Sequence, residues 1–232
     1  MSTLVNRRSL KIIPKIIRKI SEEISLRNLK LQRYRYSQYG QDTFFALLFD
    51  GEPGFFVDVG ARDGINISNT YLLEKRYGWK GICIEPHSGF YRRLVKNRQS
   101  LNLQCAVADV GAEKSTLEFA QWRRGARGHS GLVSVDYRHT GLLEQAKHEV
   151  VTVDVYSLEA IFEENGVQVV DLLDVDVEGA EYSVVRSINF DKCRINYITV
   201  EQGTAEMDSY LSENGYVRLC ELGEDAVYML QV

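Results

Sequence analysis

Apolar and polar positions along the chain form two alternating patterns. Short, nearly continuous apolar runs are typical of buried strands, as in "GFFVDVG", "KGICIEP", "VVDLL" and "INYITVEQ". Segments between them have the apolar spacing of helices, as in "NISNTYLLEKRYG", "SGFYRRLVKNR", "LEAIFEENG" and "EMDSYLSENG". This alternation predicts an α/β fold whose sheet is mostly parallel and covered on both faces. For the final segment, "YVRLCELGEDAVYML", we predict an antiparallel hairpin at one edge of the sheet.

Three further segments are extended, and one interrupts the alternation. "LNLQCAVAD" predicts a strand, "KSTLEFAQ" an added antiparallel or edge strand, and "EVVTVDVYSL" an extended run. Upstream of the first strand, "SQYGQDTFFALLF" predicts a short turn and then a helix. The interrupting segment, "WRRGARGHSGLVSVDYRHTG", is rich in Gly and Arg. It is either a surface loop or a lid that binds the acceptor, because Arg suits anionic groups.

The charge is divided between a basic leader and an acidic domain. Residues 1–36 contain ten Lys and Arg residues against two acids, although the whole chain has a net charge of -4. The remainder, 37–232, is long enough for one domain with a sizeable core. Within the leader, "PKIIRKISEEISLRNLKLQRYR" predicts a basic amphipathic helix. This helix packs on its own domain, on an anionic membrane, or on a partner such as a second copy of the chain.

Composition also limits the classes of protein to consider. No apolar run approaches the roughly 20 residues that a membrane span needs. The four cysteines lack metal-ligand spacing and indicate reduced, mostly buried thiols. We therefore expect a cytoplasmic protein, with contact to the inner face of the membrane as an alternative for the leader. No nucleic-acid-binding motif stands out, and the acidic domain disfavours that partner.

Two acids end neighbouring predicted strands, with a glycine-bounded turn between them. Asp58 closes the first strand, Gly60 and Gly64 bound the turn, and Glu85 ends the next strand. Ligands of an open parallel sheet lie beyond the carboxyl ends of its strands, where an acid can hold a ribose. The turn lacks the central glycine that lets a pyrophosphate approach. A cofactor with a ribose and an amino-acid tail, such as S-adenosylmethionine, therefore fits better than a dinucleotide. Ser68 either contacts this cofactor or caps the following helix.

A family resemblance rests on several motifs together. "SQYGQD", "VDVGARDG", "SNTYLLEKRYGWKGICIEP", "VADVG" and "DVDVEGAEYSVV" occur in the order and spacing of FkbM-type S-adenosylmethionine-dependent methyltransferases, over roughly residues 37–202. The resemblance implies a Rossmann-like sheet of seven strands whose last strand is antiparallel. It also implies methyl transfer to hydroxyls of sugars, glycans or secondary metabolites.

The resemblance assigns expected roles to individual residues. It implies that Asp58, Gly60 and Gly64 line the methionine part of the cofactor, Glu85 the ribose and Asp109 the adenine. It implies that Gln38 and Asp42 close over the cofactor, and that Asp176 and Glu178 stand at the reaction centre. The chain departs from the family's usual motif at two positions, with Arg62 in place of Asn and Asp174 in place of Lys or Ser.

Three acids at alternating positions of "LLDVDVEGAE" are candidates for the chemistry. Asp174, Asp176 and Glu178 point to one face if the strand is regular. Either Asp176 or Glu178 is the general base for an acceptor hydroxyl, or Asp174, Asp176 and Glu201 hold Mg²⁺. A third interpretation is structural, with Asp174 turned away and Glu178 capping the next helix.

Other candidates concern the base, the acceptor and the class of protein. His129, in the Gly- and Arg-rich segment, is an alternative base, and His87 could lie near the adenine or ribose. The arginines of that segment, Arg123, Arg124 and Arg127, favour an anionic small-molecule or glycan acceptor. Two other functions stay open: a nicotinamide-dependent oxidoreductase on a similar sheet, and a non-catalytic module that docks on a membrane or partner.

Overall fold

A computed structural model describes residues 36–110, 115–122, 131–132 and 148–231 of the chain. These residues contain eleven strands and six helices, which are joined by turns and loops. The strands are β1 (Phe55–Val59), β2 (Lys80–Ile84), β3 (Leu101–Leu103), β4 (Ala106–Val107), β5 (Ser115–Trp122), β6 (Gly131–Leu132), β7 (His148–Tyr156), β8 (Val169–Val175), β9 (Arg194–Glu201), β10 (Tyr216–Leu222) and β11 (Asp225–Leu230). The helices are α1 (Gln41–Leu48), α2 (Tyr71–Tyr77), α3 (Ser88–Asn97), α4 (Leu158–Glu164), α5 (Glu181–Arg186) and α6 (Ala205–Glu213).

A seven-stranded sheet with the order β3-β2-β1-β8-β9-β11-β10 forms the centre of the protein. The pairs from β3 to β9 are all parallel, whereas β11 is antiparallel to both of its neighbours. The predicted α/β class, the mostly parallel sheet and the terminal antiparallel hairpin are therefore confirmed. Because β11 runs in the reverse direction, its first residue lies beside the last residue of β9.

Helices cover both faces of this sheet, as the apolar strands require. On one face, Val57 and Leu173 pack with residues of α4, α5 and α6, including Phe162 and Leu211. On the other face, Phe56 packs with apolar residues of α1, α2 and α3. Asp58 follows Phe56 by two positions on β1 and therefore lies on this second face, at the carboxyl end of the strand.

A second sheet of four strands, with the order β4-β7-β5-β6, was not predicted as a separate sheet. The single strand expected for "LNLQCAVAD" is wrong, because the segment divides into β3 of the first sheet and β4 of the second. The expected antiparallel strand is β5, which pairs with β7 along its whole length. An alternating pattern identifies an extended segment, but it does not name the strand with which the segment pairs.

Several expectations concern parts of the chain that fall outside the described residues. These are the basic leader up to residue 35, the base candidate His129, and the arginines at 123, 124 and 127. In the parts that are described, no helix has the length and apolar character to cross a membrane. The four cysteines are free thiols, of which Cys83, Cys105 and Cys193 are buried.

Candidate active site

Carboxylates from four strands meet at the carboxyl end of the central sheet. In the sheet register, Asp58 is the partner of Asp174, and Glu201 at the end of β9 is the partner of Asp225 at the start of β11. Cross-strand partners share a face of a sheet. We call Asp58, Asp174, Asp176, Glu201 and Asp225 the carboxylate cluster. Three of its members, Asp58, Asp174 and Asp225, are buried.

The buried members of the cluster are held by amide and hydroxyl donors. The Asn69 side chain donates to Asp174 at 3.0 Å and to Asp225 at 3.5 Å. Gln41 donates to Asp225 at 2.7 Å. Burial raises the pKa of Asp174 well above its usual range, and the nearby charge of Asp58 raises it further. The pKa of Asp225 is also raised, mainly by burial.

The carboxyl groups of Asp176 and Glu201 are neighbours at the outer edge of the cluster, where each affects the pKa of the other. Burial, followed by the charges of Glu201 and Glu178, raises the pKa of Asp176 well above its usual range. Burial and the charge of Glu178 raise the pKa of Glu201 to about 7. When two neighbouring carboxyls cannot both ionise, they share one proton. A carboxyl that titrates near neutral pH is suited to act as a base.

Asp174 lies in the cluster, so the interpretation that turned it away from this face is wrong. At the start of α5, the carboxylate of Glu181 accepts from the backbone N–H groups of Val177 at 3.4 Å and Gly179 at 2.8 Å. These bonds stabilise the turn before α5, whose N-cap residue, Ala180, makes no side-chain cap hydrogen bond. Glu178 is half-buried beside the cluster and adds negative charge to it.

The predicted Mg²⁺ site at Asp174, Asp176 and Glu201 finds no support. Within the described ranges, no three His, Cys, Asp or Glu side chains are grouped so that they could hold a metal ion. The carboxylates of the cluster instead interact with one another and with neutral donors.

The loop after β1 approaches the end of β8 very closely. Gly60 has a φ of 96°, and a methyl group there would overlap the carbonyl oxygen of Asp176. Gly64 has a φ of 79° and packs against the side chain of Arg98. The two predicted glycines are therefore required by the backbone, because a left-handed conformation combined with close contact suits only glycine.

Arg98 is a buried cation that holds this loop in place, and sequence reasoning missed it. Its side chain donates to Glu74 at 2.8 Å, to the carbonyl oxygen of Gly64 at 3.3 Å and to Thr70 Oγ1 at 3.0 Å. It also lies 3.7 Å from Asp58, which accepts a hydrogen bond from Thr70. Burial nevertheless raises the pKa of Asp58. Asp58 is thus part of a buried polar network under the glycine turn.

Ser68 and Glu85 have defined partners in the same region. Ser68 Oγ accepts from the backbone N–H groups of Thr70 and Tyr71 at the start of α2, which matches its expected capping role. Glu85, 4% exposed, accepts from the backbone N–H groups of Arg62 at 2.8 Å and His87 at 2.7 Å. These bonds orient the carboxylate, while burial raises its pKa to about 7.

The remaining predicted cofactor residues differ in their surroundings. Asp109 is exposed and lies 3.4 Å from the side chain of Arg186. Asp42 is buried and accepts from Tyr36 N at 2.7 Å and Ser37 Oγ at 2.6 Å, so it stabilises the turn before α1. Gln38 is exposed in that turn. Gln41, not Gln38 or Asp42, is the residue of this motif that reaches the carboxylate cluster.

His87 caps a helix, and three other residues of the site were not predicted from the sequence. His87 Nδ1 accepts from the backbone N–H of Gly89 at 2.9 Å and caps α3. Gln41 and Asn69 contact the cluster and Asp225 belongs to it, although the sequence analysis assigned no role to any of the three. Asp225 could have been found only if the reversed last strand had been placed directly beside β9.

The loops at this end of the sheet contain backbone strain. Arg62 and Ile67 after β1, Glu178 after β8 and Gln202 after β9 all have φ between 50° and 60°. Non-glycine residues in this left-handed region are uncommon, and such strain concentrates at functional sites. The carboxyl edge of the sheet is therefore the candidate active site on both chemical and conformational grounds.

Comparisons with solved structures found distant similarities to methyltransferases. A crystal structure of the methyltransferase FkbM from Methylobacillus flagellatus is 13% identical over 91% of this chain, with a TM-score of 0.44. This chain covers 60% of that protein. A TehB-like SAM-dependent methyltransferase from Corynebacterium glutamicum is 10% identical, with a TM-score of 0.42 and 91% and 98% of the two chains covered. Human methyltransferase 10 domain containing protein is 13% identical, with a TM-score of 0.39 and coverages of 76% and 71%.

The family of the chain is shown by a sequence model and not by these distant structural similarities. No curated protein sequence matches the chain. The sequence model of the methyltransferase FkbM domain, however, matches residues 58–218, which is more than half of the chain and contains most of the candidate site. The chain therefore belongs to the FkbM methyltransferase domain family.

Proposed function

We propose that this protein is an S-adenosylmethionine-dependent O-methyltransferase that acts on a hydroxyl of a sugar, glycan or secondary metabolite. The observation that carries the proposal is the grouping of carboxyls at the carboxyl edge of the sheet, where Asp174 is the register partner of Asp58 and Asp225 that of Glu201. Asp176 lies beside Glu201 in this group. An alcohol is a weak nucleophile at neutral pH, and a carboxylate that titrates near pH 7 is suited to accept its proton. Membership of a methyltransferase family leaves the nicotinamide-dependent alternative without support.

The donor would lie along the edge formed by β1, β2 and the loop after β1. The two turn glycines, Gly60 and Gly64, keep this loop close to the sheet, and Asp58 lies beneath it. Glu85 is oriented by two backbone N–H groups, and each of its oxygens retains a lone pair for a ribose hydroxyl. The donor set is thus suited to a ribose and to a cationic amino-acid part. We also propose that Asp109 contacts the adenine and that Gln38 closes over the cofactor.

The chain's own residues would position the acceptor and remove its proton. The donor, when bound, would supply an activated methyl group to the acceptor oxygen, and the electron pair of its carbon–sulfur bond would stay on sulfur. Glu201 or Asp176 accepts the hydroxyl proton, and the neighbouring carboxyl of the pair stabilises the protonated form. Glu178 is the next candidate base because it lies beside the pair.

Other parts of the proposal concern the acceptor and the location of the protein. Arg123, Arg124 and Arg127 favour an anionic acceptor such as a phosphorylated sugar, with no nucleic acid as partner. His129 stays a proposed base in the same segment. We further propose a cytoplasmic protein whose basic leader, residues 1–36, contacts either an anionic membrane surface or a second copy of the chain.

The test measures methyl transfer to hydroxyl acceptors from labelled S-adenosylmethionine. Sugars, sugar phosphates and polyketide alcohols would be offered to the full chain, with and without Mg²⁺, and products identified by mass and by methyl-ether linkage. Glu201→Gln is expected to lower kcat about 100-fold or more, since general bases contribute about 10²–10⁴. Glu213→Gln, at an exposed position of α6, is the matched control. Methylation only of nitrogen or sulfur acceptors would refute the proposal.

A further inference from the structure

Tyr39 is an exposed aromatic side chain that packs on the turn of the terminal hairpin. Its side of contact is Gly223, between β10 and β11, and a methyl group on that glycine would overlap the ring. Gly223 has a φ of 67°, so a left-handed residue without a side chain lets the ring lie directly on the backbone. Tyr39 is nevertheless 39% exposed. The turn thus supports the ring, while a large part of it stays open to solvent.

Hydrogen bonds fix the position of Tyr39 before any ligand binds. The side-chain amide of Gln38 donates to the Tyr39 hydroxyl at 2.9 Å. The backbone N–H of Tyr39 donates to Gln41 Oε1 at 2.8 Å, and Gln41 in turn donates to Asp225 at 2.7 Å. A ligand that packs on a side chain already held in this way does not have to order it, which reduces the entropic cost of binding.

Tyr39 lies on the side of the carboxylate cluster that is opposite to the proposed donor edge. Its bonded partner contacts the first residue of β11, which is the register partner of Glu201. The turn under the ring is joined to the same point, because the N–H of Gln202 donates to the carbonyl oxygen of Glu224 at 2.9 Å. In the sheet, β8 and β9 separate β11 from the donor edge at β1 and β2. An acceptor has to approach from the side that the donor leaves open, and Tyr39 is on that side.

A buried hydroxyl on the same side of the cluster has no partner. Thr199 is 1% exposed, and its Oγ1 makes no hydrogen bond to the described residues. It precedes Glu201 by two positions on β9, so the two side chains share a face, and its register partners are Asp174 and Val227. Buried hydroxyls are nearly always satisfied in folded proteins. The unsatisfied one indicates that a further polar group, such as a water molecule held with a ligand, belongs between β8 and β11.

The surroundings of Tyr39 suit a ring that has an apolar face and a polar rim. A sugar ring has this form, because C–H groups make up its face and hydroxyls its rim. Binding sites combine aromatic surface for such a face with a few polar groups that fix the orientation. The exposed residues next to the turn, Gln202 and Glu224, have side chains that can bond to hydroxyls. A flat hydrocarbon ring would not use these polar groups.

We propose that Tyr39 is the platform on which a sugar ring of the acceptor stacks, with the hydroxyl to be methylated turned toward Glu201. The inference rests on the proposed function, and it narrows the acceptor from alcohols in general to sugar rings. Tyr39 binds and orients the acceptor, whereas the proton passes to the carboxyl pair.

The experiment measures binding of simple sugars to the full chain by saturation-transfer NMR, with S-adenosylhomocysteine present. The probes are the methyl glycosides of glucose, galactose and mannose, and glycerol serves as a hydroxylated probe without a ring. We expect at least one glycoside to receive saturation mainly on the C–H protons of one ring face, as stacking on an aromatic side chain requires. Glycerol is expected to receive none.

Two variants of Tyr39 test whether its ring is the platform. Tyr39→Ala is expected to weaken binding of that glycoside about tenfold, an effect of the size that an aromatic contact provides. Tyr39→Phe keeps the ring and is expected to retain the binding. Val95→Ala, which shortens another exposed apolar side chain, is the matched control and should change nothing. Circular dichroism would verify folding, and the affinity for S-adenosylhomocysteine, measured by calorimetry, should be the same in all three variants.

The outcomes separate this inference from the proposed function. If no glycoside binds to a folded protein that binds S-adenosylhomocysteine, the sugar platform is refuted, although the cofactor stands. Unchanged glycoside binding by Tyr39→Ala refutes it too, and so does a loss of S-adenosylhomocysteine binding in that variant, because the ring would then belong to the donor site. If glycosides bind through Tyr39 but no hydroxyl acceptor is methylated, the proposed function fails while the sugar site stands.

Discussion

At the scale of single residues, Arg98 shows how a buried charge can organise a binding loop. Its guanidinium group has no exposed surface and contacts Glu74, Thr70 and the backbone of Gly64. The charge of Arg98 also lowers the pKa of Glu74 to about 2, although burial opposes this shift. Removal of one partner from such a network leaves the other charges buried and unpaired, which is more costly than the loss of a surface ion pair.

We predict that Arg98→Met lowers the free energy of unfolding by about 3–5 kcal/mol, because Glu74 and Asp58 lose their cation. Urea denaturation monitored by circular dichroism measures the change. Lys96→Met, two residues earlier and exposed, is the control, with an expected change within about 0.5 kcal/mol. Similar decreases in the free energy of unfolding for both variants would show that Arg98 does not stabilise the loop.

At the scale of elements, the loop between β1 and α2 is defined by close contact rather than by helix formation. The helical pattern of "NISNTYLLEKRYG" predicted a helix from its start, but α2 begins only at Tyr71. Asp63 accepts from the backbone N–H groups of Ile65 and Asn66 and holds the preceding residues in a turn. Local side-chain bonds to the backbone thus compete successfully with the helix.

A comparison of two glycines distinguishes the free-energy cost of a left-handed backbone conformation from the cost of a steric overlap. Gly60 and Gly78 both have positive φ, but only at Gly60 would a methyl group overlap another residue. We predict that Gly78→Ala costs about 1–2 kcal/mol of unfolding free energy, the penalty for a left-handed residue. Gly60→Ala is expected to cost clearly more and to weaken binding of S-adenosylhomocysteine. Equal losses in the two variants would mean that the loop can move away from Asp176.

At the scale of the whole molecule, the candidate site exists only because distant segments meet. Gln41 and Asp225 are 184 positions apart and form a 2.7 Å hydrogen bond. Asn69 joins the loop after β1 to the start of β11, at 3.5 Å from Asp225. The folded chain therefore assembles carboxyls whose mutual repulsion is absent from the unfolded chain.

This assembly predicts an unusual dependence of stability on pH. The pKa values of Glu85 and Glu201 are raised from 4.5 to about 7, so the folded state keeps protons that the unfolded state has lost between these values. Stability must then decrease as the pH rises through that window. Glu74 acts in the opposite direction, and its contribution is lost only as the pH falls toward 2.

We predict that the free energy of unfolding, from urea titrations without ligand, is higher at pH 5 than at pH 8. Glu201→Gln should raise stability at pH 8 by about 1–2 kcal/mol, a value reduced for partial solvent screening, with little change at pH 5. Glu213→Gln should have no such effect, because its side chain is exposed. A protein that is more stable at pH 8 than at pH 5 would contradict the raised pKa values.

Much of the site could be predicted because it depends on strand ends, which the sequence marks. Asp58, Glu85, Asp174 and Asp176 all follow apolar runs, and parallel strands bring their carboxyl ends to one edge. Arg98, Thr199 and Asp225 could not be found in this way. Their roles depend on what lies across the sheet or beneath the loop, and neither relation has a signature in neighbouring residues.

The sequence by itself determined the α/β class, the parallel central strands, the reversed final hairpin and the glycine turn. These features follow from local periodicity and from the conformational freedom of glycine, which nearby residues suffice to specify. Only the tertiary structure decided that β4 to β7 form a second sheet and that β11 lies beside β9. It also decided that Gln41, Asn69 and Thr199 meet the carboxylates. Such pairings depend on the free energy of the complete fold, to which residues far apart in the chain contribute together.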